Sequence, residues 1–362
     1  MTHWDDPQLH LIRACLSQDA ETFSRHASSW DRAVDIDDID AASMRLIPLY
    51  FKVAQSLGVK IKNAGLCRGV YLKSWYVYKT QGSMPLSTLL EALGNCEAVF
   101  LKGVALRSTV YRQDPPTRPA DDIDLLVLPS EANAVIETLL ARGFRPVANL
   151  SIKTFTSLRN GVNLANGNVN VDVHWSIVPI CLDPEYLSRI WNRAQESAHG
   201  LRVLSDTDNL IHALIHGYGA NSIAPIRWVV DATLLIRNGQ VDWELFSREI
   251  CATGWSEMAQ RQLDILRMSF GIETPLELSL RRKRSYLAWV SRIYLKSESI
   301  YLRRLLRILG WDFGVYATNL QVRPTLAAFI RFLPAVSKAF LREYSEYKSQ
   351  TKKSTAPVAN HP

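Results

Sequence analysis

Two aspartates flank one apolar residue in Asp122-Ile123-Asp124, at the head of the β-type run IDLLVLP. Side chains alternate along a strand, so Asp122 and Asp124 are expected on one face while Ile123 enters the core. Two carboxylates held that close repel each other unless a proton or a cation lies between them. Mg2+, or Mn2+ in its place, is the natural occupant, because hard cations take oxygen ligands from carboxylates and substrate phosphates. A third acid, Asp172, stands in NVNVDVHW, where Val169, Val171, Val173 and Trp175 alternate with Asn170, Asp172 and His174. It becomes a third oxygen ligand if the two strands neighbour each other in one sheet.

Taken alone, an Asp-x-Asp triplet also describes a solvated strand end. Its context is more informative. The short apolar run from Ala98 ends at Leu101 and opens into Lys102-Gly103, VALRSTVYRQ keeps helical spacing, and DPPTRPADD has three prolines that force a loop. This order, LKGVALRSTVYRQDPPTRPADDIDLLV, resembles the nucleotidyltransferase superfamily that includes DNA polymerase beta. In particular it is similar to a largely uncharacterised bacterial nucleotidyltransferase-like family with the pattern KGxxL, Tyr, Arg, then DIDLLV. The likeness runs from Val99 to Asn238, through Asp172-Val173-His174-Trp175, His212 to Gly217, and Arg227-Trp228-Val229-Val230-Asp231.

The resemblance implies an α+β fold, a mixed sheet of nucleotidyltransferase type flanked by helices, with a metal-dependent site and a nucleoside triphosphate as donor. By the same resemblance Asp122, Asp124 and Asp172 bind the metal, and Asp172 also helps to activate the attacking hydroxyl. The wider superfamily has Gly-Ser after its first strand, the serine contacting donor phosphate; this chain has Lys102-Gly103-Val104. A lysine can replace that contact by a charge, and Gly103 leaves room for backbone to approach phosphate. Arg118, four residues before Asp122, is placed to pair with the triphosphate or with one of the carboxylates.

The elements that must position these residues are mostly helical. Apolar residues recur every three or four positions from His10 to about Lys79, with Pro48 as a break, and again in LSTLLEALGNC after the turn-like QGSMP. SEANAVIETLLARGF reads as a helix capped by Ser130 and stopped by Gly143, and helices continue from Thr207, with Gly239 as a stop and Asp242 as an N-cap. The expected division is an N-terminal helical region at 1–95, a catalytic core at 96–205, a helical region at 206–280, a basic helical region at 281–347 and a flexible tail at 348–362. His212 and His216 lie one helical turn apart without an HExxH glutamate and read as core or supporting histidines. Arg227 and Asp231, four apart on a helix, are expected to pair with each other.

Composition bounds the rest. With 362 residues, 47% hydrophobic and 21% charged, the chain can bury a sizeable core. No stretch reaches the roughly 18 apolar residues of a membrane span, and MTHWDDPQLH lacks the basic and apolar pattern of a signal peptide, so a cytoplasmic location is expected. Five scattered cysteines without a CxxC pair argue against a disulfide framework and a structural zinc site and read as buried thiols. The net charge of +7 divides into +12 from Arg281 onward and −5 before it. That basic region, with RRKR at Arg281 to Arg284 and YLRRLLRILGW from Tyr301, reads as solvated helices on the core, as a membrane-surface helix or as a nucleic-acid face. The function expected is transfer of a nucleoside monophosphate to a hydroxyl or phosphate of a protein, peptide, metabolite or RNA acceptor. The alternatives are an inactive module of the same fold that docks on RNA or membrane, and a metal-dependent phosphotransferase or nuclease.

Overall fold

The computed structural model describes residues 6–147, 160–181, 183–218 and 226–274, with 315, 317–318, 329–330 and 332–334 beyond them. The basic stretches at Arg281 and Tyr301 and the tail from 348 lie outside the described residues. Among these residues no helix is long and apolar enough to cross a membrane.

The chain begins with helices α1 (Asp6–Leu16), α2 (Ala20–Ala33), α3 (Ala41–Met44), α4 (Ile47–Ser56) and α5 (Ala64–Tyr76). Asp19 caps α2 by accepting from the Thr22 backbone N–H, and Asp40 caps α3 through the N–H groups of Ala42 and Ser43. Pro48 sits in the first turn of α4, where its missing N–H costs nothing, so it divides α3 from α4 as a break should. The stretch QGSMP is not a turn between helices. A π-helical segment, Val77–Gly82, carries α5 forward, and α6 (Ser83–Leu93) follows at once.

Then come β1 (Val99–Leu101), α7 (Lys102–Ser108), β2 (Ile123–Leu126), α8 (Ala132–Ala141), β3 (Arg145–Pro146), β4 (Gly161–Asn166) and β5 (Val169–His174). The helix expected through VALRSTVYRQ stops early, because Thr109 leaves helical geometry and its hydroxyl turns back to the Ala105 carbonyl. Ser130 does not cap α8; Glu131 stands at that position without a side-chain hydrogen bond, while Gly143 takes the positive φ of the expected stop. After β5 follow α9 (Tyr186–Arg193), β6 (Gln195–Glu196), β7 (Arg202–Val203), α10 (Asp206–Tyr218), α11 (Arg227–Arg237), α12 (Trp243–Thr253) and α13 (Ser256–Phe270). Asp242 caps α12 at the Leu245 N–H, as expected.

The strands form one mixed sheet in the order β3-β4-β5-β2-β1-β7-β6, with β2 parallel to β5, β1 parallel to β7 and the other neighbours antiparallel. Alternation sorts its side chains into two cores. Phe100, Ile123, Leu125, Val171 and Val173 meet α6 and α8 through Leu89, Val135, Ile136 and Leu139 on one face. Val99, Leu101 and Leu126 on the other join the larger core of the N-terminal helices and of α10 to α13, which also takes in Val315. Helices on both faces of a mixed sheet give the α+β fold read from the sequence.

Candidate active site

The parallel register of β2 and β5 sets Asp124 opposite Asp172 and Leu126 opposite His174. Since Ile123 and Leu125 fill the α8 core, Asp124 must point to the other face, where Asp172 and His174 also stand. Asp124 is 2% exposed. Lys102 Nζ donates to its Oδ1 at 2.5 Å, and His174 Nε2 lies 3.1 Å from the same oxygen and 3.1 Å from Asp172 Oδ2. One carboxylate oxygen from each aspartate and a ring nitrogen of His174 lie within 4.8 Å of one another.

The charges in this cluster sustain each other. Burial alone would raise the Asp124 pKa, but the hydrogen bonds and charges of His174 and Lys102 outweigh it and hold the carboxyl well below its usual range. Burial likewise opposes ionisation of Asp172 and of His174, yet their mutual pairing, with Asp124, lowers the acid and raises the imidazole. Gly161 faces His174 across β4 and β5 and makes room for the ring. A Cβ there would lie 2.9 Å from His174 Nδ1 and 2.9 Å from the Val173 carbonyl.

Asp122 falls one residue before β2 begins, so strand alternation does not fix it beside Asp124, and it is not part of the three-residue cluster. It is exposed at the wall of a neighbouring cleft, and partial desolvation by the groups around it, then the charge of Asp124, raises its pKa.

The three residues expected to hold the donor are engaged within the protein. Lys102, which the sequence aims at phosphate, is paired with Asp124. It has φ 45°, the one positive φ outside glycine among the described residues, and a strained turn residue whose side chain reaches the cluster is the kind of backbone cost that functional sites retain. At Gly103 a Cβ would lie 2.5 Å from that of Ala120, so the glycine admits the proline-rich loop. Arg118 is hydrogen-bonded to none of the site carboxylates. It is buried in a two-pronged pair with Asp231, Nε to Oδ1 and Nη2 to Oδ2, each 2.8 Å.

The expected Arg227 to Asp231 pair is replaced by this longer-range one. Tyr111 donates to Asp231 Oδ1 at 2.7 Å, and Arg227 donates to the Pro119 carbonyl at 2.7 Å. Further bonds to the Arg118 carbonyl from Arg107 and to the Pro116 carbonyl from Ser74 pin the loop that delivers Asp122 and Asp124. On α10, His212 is buried and His216 exposed. Desolvation of the rings, then the charge of Lys102, pushes His212 well below its ordinary range and His216 down to about 4, so both rings are neutral near pH 7. Gly217 allows Trp228 of α11 to pack against α10, where a Cβ would lie 2.4 Å from the indole.

Beside Asp122 opens a cleft of about 750 Å³, lined by Tyr78, Lys79, Arg107, Ser108, Asn170 and His199 among others. Arg107, which the sequence reading did not single out, is buried at the wall of this cleft. It is 8% exposed, its Nη2 is buried without a hydrogen-bond partner, and it faces no carboxylate in an ion pair among the described residues. Its guanidinium lies 5.5 Å from the centre of the Tyr78 ring. The available signal was an arginine within the apolar helical run VALRS, where burying a cation is costly.

The donor set of Asp124, Asp172 and His174 fits a divalent cation. Two carboxylates with one imidazole suit the ions between Mg2+ and the softer first-row metals, Mn2+ among them. No curated protein and no solved structure matches the chain. A family model does match, over residues 80–271, which spans the whole sheet, the acidic cluster and helices α6 to α13. With more than half of its 362 residues covered by that match, the chain belongs to the family described as uncharacterised nucleotidyltransferase.

Proposed function

We propose that the protein is a metal-dependent nucleotidyltransferase that moves a nucleoside monophosphate from a nucleoside triphosphate to an acceptor hydroxyl or phosphate. The observation that carries this reading is the register of β2 and β5, which pairs Asp124 with Asp172 and adds His174, next to a cleft with Asp122 on its wall. Asp124, Asp172 and His174 would hold the metal, Mg2+ or Mn2+, with Asp122 as a further carboxylate at the cleft side. A bound divalent ion supplies neutralisation of phosphate charge and alignment of the attacking oxygen.

The chain's own groups do the rest. Asp172, the most exposed of the three, is suited to accept a proton from the acceptor hydroxyl. Lys102 offsets the charge of Asp124 and can turn to phosphate when the carboxylate is otherwise occupied. Arg107, buried and facing the cleft, offers a fixed donor for an anionic group of substrate. A second reading, an inactive module of this fold, draws on the Lys102 ammonium that occupies Asp124 Oδ1.

Incubation with each α-labelled triphosphate, Mg2+ or Mn2+ and a cell extract tests the proposal. Label transferred with release of pyrophosphate, and lost in Asp124→Asn, is the expected result. Metal and triphosphate binding without any transfer would favour the inactive module, and label left in nucleoside diphosphate, with none on an acceptor and no pyrophosphate, would favour a phosphotransferase.

A further inference from the structure

Between Asp40 and Glu91 the chain has seven lysines and arginines and no aspartate or glutamate. Arg45 and Lys52 are answered by Asp121 and Asp114. Arg68 and Lys73, both exposed on α5, form no ion pair among the described residues. The same helix exposes Leu66, Leu72, Trp75 and Tyr76 by 54%, 44%, 44% and 60%. Of its thirteen residues only Cys67 and Ser74 are buried.

Cations and apolar side chains share the same rows of this helix. Arg68, Leu72 and Tyr76 follow one another at four-residue spacing, and Lys73 stands three residues before Tyr76. A helix that lies in a membrane surface separates its apolar from its cationic face, which α5 does not do. Aromatic rings interspersed with cations suit a single-stranded nucleic acid instead, since bases stack on rings of any sequence context while phosphates meet the charges. The face is also continuous with the cleft. The segment Val77–Gly82 extends α5 directly, its Tyr78 and Lys79 line the cleft, and the cations of Arg107 and Lys79 lie 5.5 and 5.8 Å from the Tyr78 ring centre.

We propose that α5 and the segment after it bind a single-stranded nucleic acid, and that a terminal hydroxyl of this strand enters the cleft as the acceptor. The binding face rests on α5 alone; the acceptor role rests also on the nucleotidyl-transfer reading. In that role the hydroxyl oxygen attacks the α-phosphorus of the triphosphate and forms a new phosphodiester bond. The bond from the α-phosphorus to the oxygen bridging to the β-phosphate breaks, pyrophosphate leaves, and the hydroxyl proton passes through Asp172 to solvent.

Fluorescence anisotropy with a labelled single-stranded 15-nucleotide RNA, without triphosphate, tests the face. Salt-sensitive binding is expected, weakened about tenfold or more in Arg68→Glu/Lys73→Glu and by about the same factor in Trp75→Ala/Tyr76→Ala. All four side chains are exposed, so the variants should melt with the wild type. Equal affinity of both variants and wild type would overturn the proposal. So would binding to phosphatidylglycerol vesicles with none to RNA, or a dimer that Trp75→Ala/Tyr76→Ala dissociates in protein without RNA affinity. The Asp124→Asn protein should bind the RNA with unchanged affinity while failing to extend it with a labelled nucleotide and Mn2+. RNA held by α5 but never labelled by the wild type would overturn the acceptor role and leave the face standing.

Discussion

Replacing Arg118 by methionine separates two roles that the sequence alone cannot tell apart. In the structure its guanidinium and the Asp231 carboxylate are 5% and 7% exposed and share two bonds of 2.8 Å. Methionine would fill much of the volume but leave Asp231 buried, with the Tyr111 hydroxyl as its remaining hydrogen-bond donor. Breaking a buried pair from one side costs about 3 to 5 kcal/mol, a third or more of a typical total of about 5 to 15 kcal/mol. Arg118→Met should therefore lower the free energy of unfolding in urea by about 3 kcal/mol or more. The double variant Arg118→Met/Asp231→Leu removes the stranded charge and should return to within about 1 kcal/mol of the wild type, giving a coupling energy of about 2 kcal/mol or more. If Arg118→Met keeps its stability and loses only triphosphate affinity, the guanidinium serves the donor and the structural assignment is wrong.

Lys102→Met removes the cation on Asp124 Oδ1, so the cluster becomes more negative and its Mn2+ affinity, followed by electron paramagnetic resonance, should rise severalfold; a fall would contradict the pairing. Gly161→Ala drives a Cβ into His174, and a displaced ligand should weaken Mn2+ binding by about tenfold or more while the helices stay folded by circular dichroism. His212 is neutral when folded and takes up a proton on unfolding below its ordinary pKa of 6.5. Its stabilisation is thus complete above that pH and lost as pH falls, at up to about 1.4 kcal/mol per pH unit. His212→Gln should flatten the stability profile between pH 6.5 and 5 by that slope, and an unchanged profile would show that the ring is not held neutral.

Local sequence determined much of this protein, and for a plain reason: alternation and capping act between residues a few positions apart. The period of two in NVNVDVHW sent Asp172 and His174 to the face opposite Val171 and Val173, and Asp242 capped its helix as its type and place require. Asp124 was legible as a site residue in the same way. What no local pattern encodes is which distant groups meet. The parallel register of β2 and β5 brought His174 to Asp124 and made it part of the cluster. Asp231 could have paired with Arg227 four positions away, but Arg118, 113 positions away, presents a planar fork that satisfies both carboxylate oxygens. Nothing local singled out Arg107, and only the packing of α7 beneath the loop and beside Tyr78 left it buried at the wall of a cleft. Helical spacing marked α5 as a helix, whereas tertiary packing decided that its Leu72, Trp75 and Tyr76 stay in solvent, because the core that covers other helices meets α5 along Cys67 and Val70 instead.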